Sequence, residues 1–181
     1  MSTEDVSNGQ VEECRALAES WPRSIIADGT ATALAAWWVG SRQRAAALGL
    51  PRIARHAMNR SLGNGLFEAR RARRLERGLE GAATRLAAEA AGLEKVSDSR
   101  SGPASARISR LLIVSVDGSE RFYREVEKLR ERYASRLEVL LLDCDEETLG
   151  AFAYGSGRRA RALLIHHKDA VVRFLSMLDI E

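Results

Sequence analysis

Two apolar runs constrain this chain more than any other feature. Ile108–Val116 reads "ISRLLIVSV" and Leu137–Leu142 reads "LEVLLL". Neither alternates apolar and polar residues as a half-solvated strand would. Runs of this kind suit strands covered on both faces, the condition of a parallel pair whose crossover lies against the sheet. The segment between them supplies that crossover. Arg121 to Tyr133 places Phe122, Val126, Leu129 and Tyr133 on one side of a helix. Further on, the pattern predicts a short helix over Glu146–Ala153, a third strand over Arg161–Ile165 and a fourth over Ala170–Leu175. The order β-α-β-α-β-β makes residues 108–181 a small α/β domain.

The first half of the chain has a different period. Residues 1–10 are polar and read as a flexible N-terminus. Helical spacing starts at Val11 with Cys14, Leu17 and Ala18, and Pro22 breaks it. Asp28 or Thr30 caps a second helix that runs to about Leu48 through Leu34, Trp37, Trp38 and Ala45. Pro51 opens a third, Arg52 to about Ser61. A long helix is expected from Leu66 to Gly92, with Ala72, Leu75, Leu79, Ala82, Leu86 and Ala90 in one stripe. Lys95–Arg107, "KVSDSRSGPASAR", has no period and reads as a linker. The expected organisation is therefore a flexible segment 1–10, a helical domain 11–94, a linker 95–107 and an α/β domain 108–181.

Several chemistries are excluded by what the residues lack. Cys14 and Cys144 are the two cysteines, with no C-x-x-C and no histidines at zinc spacing, so neither a disulfide framework nor a structural zinc site is supported. The first residues are acidic and polar, unlike a secretory or transit signal. The best membrane candidate, "SIIADGTATALAAWWVG", carries Asp28, and its apolar part falls short of the roughly 18–20 residues a span requires. A cytoplasmic, soluble protein without a membrane span is expected. No Walker-type loop, G-x-G-x-x-G or Ser/His/Asp arrangement occurs, so no catalytic residue, cofactor or metal is assigned.

Two resemblances rest on particular stretches. "VSVDGSE", ending near Glu120, resembles the first strand and turn of the universal stress protein family. That resemblance implies a small nucleotide-binding domain using Asp117, although the family's glycine-rich phosphate loop is missing. A Ser119 cap and an acidic first turn at Glu120 explain the same letters without a ligand. Residues 110–178 resemble a thioredoxin-type domain, through the strand, acidic turn and short helix of "LEVLLLDCDEETLGAFAYGSGRRARALLIHHKDAVVRFLSML". His167-Lys168-Asp169 would form the turn of its closing hairpin. Asp117-Gly118-Ser119-Glu120 stands where the family carries its redox motif, and no proline follows Pro103. The resemblance thus implies a thioredoxin-like fold without thiol-disulfide exchange.

The remaining candidates are surfaces. Acidic neighbours push the Cys144 thiol away from reactivity, and the adjacent His166 and His167 point to opposite sides of a strand, with His56 far off in sequence. Asp143, Asp145, Glu146 and Glu147 read as a helix N-terminus rather than a cation site. Eleven arginines against three acids lie between Ser41 and Arg85, in a chain with twenty-five arginines and three lysines. Arg52, Arg55, Arg60, Arg70, Arg71, Arg73, Arg74 and Arg77 form a candidate face for nucleic acid or an acidic protein. No aromatic is interleaved in sequence for base stacking. Trp37 and Trp38, adjacent on one helix, cannot share one core, so one is expected at an interface with the α/β domain or with another protein. The leading expectation is a non-catalytic adaptor or assembly factor with a protein partner; the alternative is a nucleic-acid-binding accessory protein.

Overall fold

A computed structural model describes residues 3–97 and 107–180, with side chains from 8 to 93 and from 107 to 180. The protein is a mixed α/β structure with a helical N-terminal region followed by a β/α region. In chain order the elements are α1 (Thr3–Ser20), α2 (Arg23–Ala27), α3 (Ala31–Ala47), β1 (Ala54–Ala57), α4 (Arg60–Arg71), β2 (Leu75–Arg77) and α5 (Leu79–Ser97). After residues 98–106 come β3 (Arg110–Val114), α6 (Glu120–Arg132), β4 (Leu137–Asp143), α7 (Glu146–Tyr154), β5 (Ala162–Ile165) and α8 (Lys168–Leu175).

The two apolar runs form the centre of one five-stranded sheet, ordered β1-β4-β3-β5-β2. β3 and β4 pair in parallel, with Leu112 opposite Val139, as their double-sided apolarity requires. β5 runs antiparallel to β3. Alternate residues feed two cores. Leu111, Ile113, Leu140, Leu142, Leu163 and Ile165 pack with α1, α2, α3, α4, α7 and α8, whereas Leu112, Val114, Val139, Leu141 and Leu164 pack with α5 and α6. Each face buries large side chains completely, among them Trp21, Trp38, Leu62 and Phe174 on the first and Leu86 on the second.

Three expected elements differ from those observed. The helix expected over 52–61 is instead β1 followed by the start of α4. Ala54–Ala57 pairs in parallel with Leu140–Asp143 and so covers an otherwise open edge of β4. The outer side of β1 is itself satisfied by α3: Arg55 N donates to Ser41 Oγ (2.8 Å), and that hydroxyl donates to the Arg55 carbonyl (3.0 Å). The long helix expected from Leu66 to Gly92 is two helices with β2 between them. Arg73 and Gly78 both adopt positive φ, 56° and 84°, and these turns release Leu75–Arg77 to pair with Leu163–Ile165. The fourth strand expected over Ala170–Leu175 is α8. His167 Nδ1 accepts from the Asp169 amide (3.3 Å), and Val171, Phe174, Leu175 and Leu178 bury one face. Consequently β5 is flanked by β2, from the first half of the chain, and the closing hairpin expected for 162–175 is not formed.

The same pairings bear on the expected division into 11–94 and 108–181. Sheet and core both draw on residues from each side of it: β1 and β2 are strands of one sheet with β3, β4 and β5. The linker expected over 95–107 lies mostly outside the described residues, and α5 extends through Ser97. The N-terminal segment expected to be flexible is helical from Thr3. No helix among the described residues is long and apolar enough to cross a membrane.

Candidate functional site

The carboxyl ends of β3 and β4 are the first place to look. α6 leaves β3 toward one face and α7 leaves β4 toward the other, which opens a crevice of the kind that holds ligands in α/β sheets. Here the chain's own groups occupy it. Asp117 Oδ1 accepts from Ser115 Oγ (2.6 Å), and Oδ2 accepts from the Glu146 amide (3.1 Å). These bonds hold its carboxyl below the ordinary range despite an opposing effect of burial. Tyr123 closes the turn by donating to the Ser115 carbonyl (2.8 Å) and accepting from the Gly118 amide (3.2 Å). Ser119 caps α6 through the Phe122 amide (3.2 Å). The turn from Asp117 to Glu120 is thus a bonded strand-to-helix joint.

Its neighbours are engaged in the same way. Asp145 caps α7, accepting from the Thr148 amide (2.7 Å), Asp143 pairs with Arg55, and Glu146 pairs with Arg161 (3.0 Å). Cys144 is buried, and burial first, then Asp145, Asp117 and Asp143, pushes its thiol up to about 12. Burial and the acidic neighbours thus disfavour the thiolate, the reactive form. On the opposite end of the sheet, Arg85 Nη2 donates to His166 Nδ1 (3.1 Å); burial, reinforced by Arg85, lowers the His166 pKa.

The structure divides the candidate arginines into two groups. Arg52 pairs with Glu13 (3.2 Å) and Arg55 with Asp143, both on the β1 side of the sheet. Arg60 is the exposed first residue of α4. Arg70, Arg73, Arg74 and Arg77 gather instead at the opposite edge, where α4 turns into β2. Arg70 and Arg71 occupy the last turn of α4, where its dipole favours cations. The helix then ends in a paired closure: the Arg74 amide donates to the Ala69 carbonyl (2.8 Å) and the Arg73 amide to the Arg70 carbonyl (2.8 Å). Glycine is usual at the left-handed position of this motif, yet here Arg73 holds it.

Sequence reasoning missed the second half of this edge, because it comes from 154–159. α7 packs on α4 and delivers Tyr154, whose ring lies 5.3 Å from the Arg70 guanidinium carbon and 5.7 Å from that of Arg77. Both contacts are cation–π pairs that hold two flexible side chains in place. Burial, helped by Glu76, raises the Tyr154 phenol above its ordinary value against the opposing pull of Arg77 and Arg70. Phe67, 43% exposed, lies 6.0 Å from the Arg71 guanidinium carbon. Beyond Tyr154, Gly155 and Gly157 turn the chain at φ 90° and 75°, and exposed Arg158 and Arg159 follow. The signal was present as "YGSGRR", but only tertiary packing sets it beside residues 70–77.

Trp37 and Trp38, expected not to share one core, both pack on the same one, because the Trp37 ring folds back over Trp38. Trp38 is fully buried, edge-on to Trp21 at 5.3 Å, and its indole donates to Glu138 of β4 (3.2 Å). Trp37 is half-buried and packs on Trp38 (5.6 Å) and His56 (5.6 Å). The pair therefore ties α3 to the β1 side of the sheet.

No family model matches this chain, and no curated protein matches it. Among solved structures it is similar to a protein with unknown function from Bacillus halodurans C, with a TM-score of 0.43 and 16% identity over 67% of this chain and 99% of that one.

Proposed function

We propose that this protein acts by binding rather than by catalysis, that its working surface is the arginine edge beside β2, and that its partner is nucleic acid held by its phosphates. The observation that carries the reading is the contrast in how charges are spent. Groups with chemical potential, Asp117, Asp145 and Cys144, are consumed by internal bonds or shifted away from reactivity. Arg70 and Arg77 lean on an aromatic ring, and no carboxylate pairs with Arg70, Arg71, Arg73, Arg74, Arg77 or Arg158 among the described residues. Guanidiniums arranged in this way neutralise phosphates without reading sequence. Phe67 adds an exposed ring of the kind on which unpaired bases stack.

The test is anisotropy of a labelled single-stranded oligonucleotide at rising potassium chloride. Log affinity should fall linearly with log salt, with a slope of about −3 or steeper for four or more contacts at roughly 0.7 each. A salt-independent complex, or none at about 0.1 M salt, would remove the reading.

A protein-interaction role, as an adaptor or assembly factor, is favoured by a separate observation. An open groove of about 900 Å³ runs between α1 and α3, lined by Val11, Cys14, Ala18, Ile26 and Val39. Val11 there is 65% exposed. Apolar lining of this sort suits a protein partner more than a nucleic acid.

A further inference from the structure

We infer that the loop Gly155–Arg159 is a discrete site for a terminal phosphate, a monoester group at the end of a nucleic-acid strand. The inference rests on the arginine-edge reading and adds to it a ligand class and a location.

The loop is fixed at both ends and open in between. The Gly155 amide donates to the Ala151 carbonyl (2.8 Å), and the Ala160 amide donates to the Glu146 carbonyl (2.8 Å). Against the helix it has no slack: a Cβ on Gly150 would lie 2.0 Å from the Arg158 carbonyl oxygen. Between these anchors, the amides of Ser156, Gly157, Arg158 and Arg159 donate to no acceptor among the described residues. All four residues are exposed. Positive φ at Gly155 and Gly157 turns the backbone where a side chain would strain it, and space beside both glycines is open. Successive free amides in a glycine-turned loop are the donors that backbone anion sites use.

The charges complete the site. Arg77 donates to the Arg159 carbonyl, which places its guanidinium against the loop itself. Tyr154, the residue before the loop, contacts both Arg77 and Arg70 through its ring. Of the nearby carboxylates, Glu146 is taken by Arg161 (3.0 Å), and Arg159 lies 3.7 Å from Glu146 and 3.9 Å from Glu147. Glu76 turns toward Gly81 on α5. Arg77 therefore stands beside the loop with no carboxylate paired to it among the described residues.

The donor count selects the phosphate type. An internal phosphodiester offers two non-bridging oxygens and one charge. A monoester offers three oxygens and a charge of about −1.5 to −2 at neutral pH. A monoester's third oxygen and larger charge give the loop amides and the adjacent Arg77 more to bind than a diester does.

The experiment has two arms on the full chain. In the first, single-stranded oligonucleotides of one sequence, carrying either a 5′-phosphate or a 5′-hydroxyl, are compared by anisotropy for wild type and Gly157→Pro. The substitution removes one amide and forbids the observed φ at an exposed position, and circular dichroism checks that the fold is kept. Wild type should favour the phosphorylated strand at least tenfold, and the variant should favour it less than twofold. In the second arm, inorganic phosphate is titrated into ¹⁵N-labelled wild type, and the amides of 156–159 should shift more than those elsewhere. Equal affinity for both strands, with those amides unmoved by phosphate, overturns the loop site and leaves the arginine edge standing. Amides that shift while neither strand binds would remove the arginine-edge reading and keep the site as one for a free phosphate. Tenfold preference retained in Gly157→Pro overturns the assignment to this loop.

Discussion

Arg42 and Arg77 carry the same group into opposite settings. Arg42 is 5% exposed, between α3 and β4, where it pairs with Glu138 and also donates to Glu13 (3.3 Å). Glu138 in turn accepts from the Trp38 indole, so one carboxylate joins a helix to a sheet strand. Arg77 stands on an edge strand against a phenol ring and a carbonyl oxygen, with its charge facing outward. The contrast separates arginines that are part of the architecture from those the architecture displays. It also answers the question that arginine-biased composition raises, since abundance alone cannot distinguish the two kinds.

The largest expected effect lies on the buried side. Glu138→Ala leaves the desolvated Arg42 guanidinium with only the half-buried Glu13 as a partner, and its Nε already lacks an acceptor. Breaking a buried pair costs up to about 3–5 kcal/mol, and the remaining Glu13 contact keeps the loss toward the lower end. A urea titration would still read it as a clear fall in midpoint. Arg42→Met with Glu138→Leu should recover part of that loss, because volume is kept and no charge is stranded, while the Trp38 indole still loses its acceptor. A Glu138→Ala protein of unchanged stability would erase the distinction between the two settings.

Arg73→Gly should move stability the other way. An L-residue in the left-handed region costs about 1–2 kcal/mol, and glycine returns some of that gain through its freer unfolded chain. A net stabilisation of about 0.5–1 kcal/mol is expected, together with weaker binding of single-stranded nucleic acid. Opposite signs in the two measurements would mean that Arg73 is held there for its charge. Loss of stability would make it structural, like Arg42.

The smallest effect belongs to the pair on the far side. Arg55 and Asp143 are joined, but their side chains remain 39% and 37% exposed. Solvent screening limits such a bridge to about 0–1 kcal/mol. Arg55→Gln should therefore barely shift the urea midpoint and should leave nucleic-acid affinity unchanged. A loss of binding equal to that of an edge arginine would place Arg55 on the working surface after all.

Local pattern carried the centre of the fold and failed at its margins, for reasons visible in single elements. The apolar runs of β3 and β4 and the stripe of α6 declare themselves, because burial on two faces or one leaves a direct trace in sequence. β1, "ARHA", has no β-branched residue, and it is a strand because β4 needs a partner and Ser41 satisfies its outer edge. β2 is three residues inside a stripe that keeps helical period in sequence, although Leu75 and Leu79 pack on different cores across the break at Gly78. In α8, two adjacent valines mimic a strand, although the spacing Val171, Phe174, Leu175, Leu178 is helical and outweighed them. Half of the candidate edge, Arg70 to Arg77, could be named from charge alone. Tyr154 and its loop could not, because only the packing of α7 on α4 brings position 154 to position 70.

The central claim is that the edge arginines contact phosphates and do not support the fold. One comparison addresses it directly: the slope of log affinity against log salt for single-stranded nucleic acid, measured for wild type and for Arg70→Gln, Arg73→Gln, Arg77→Gln combined. Three lost contacts should flatten the slope by about 2, at roughly 0.7 each. The urea midpoint should stay close to that of wild type, since glutamine and arginine have similar helix propensity. An unchanged slope, or a variant that loses affinity because it unfolds, would contradict the account.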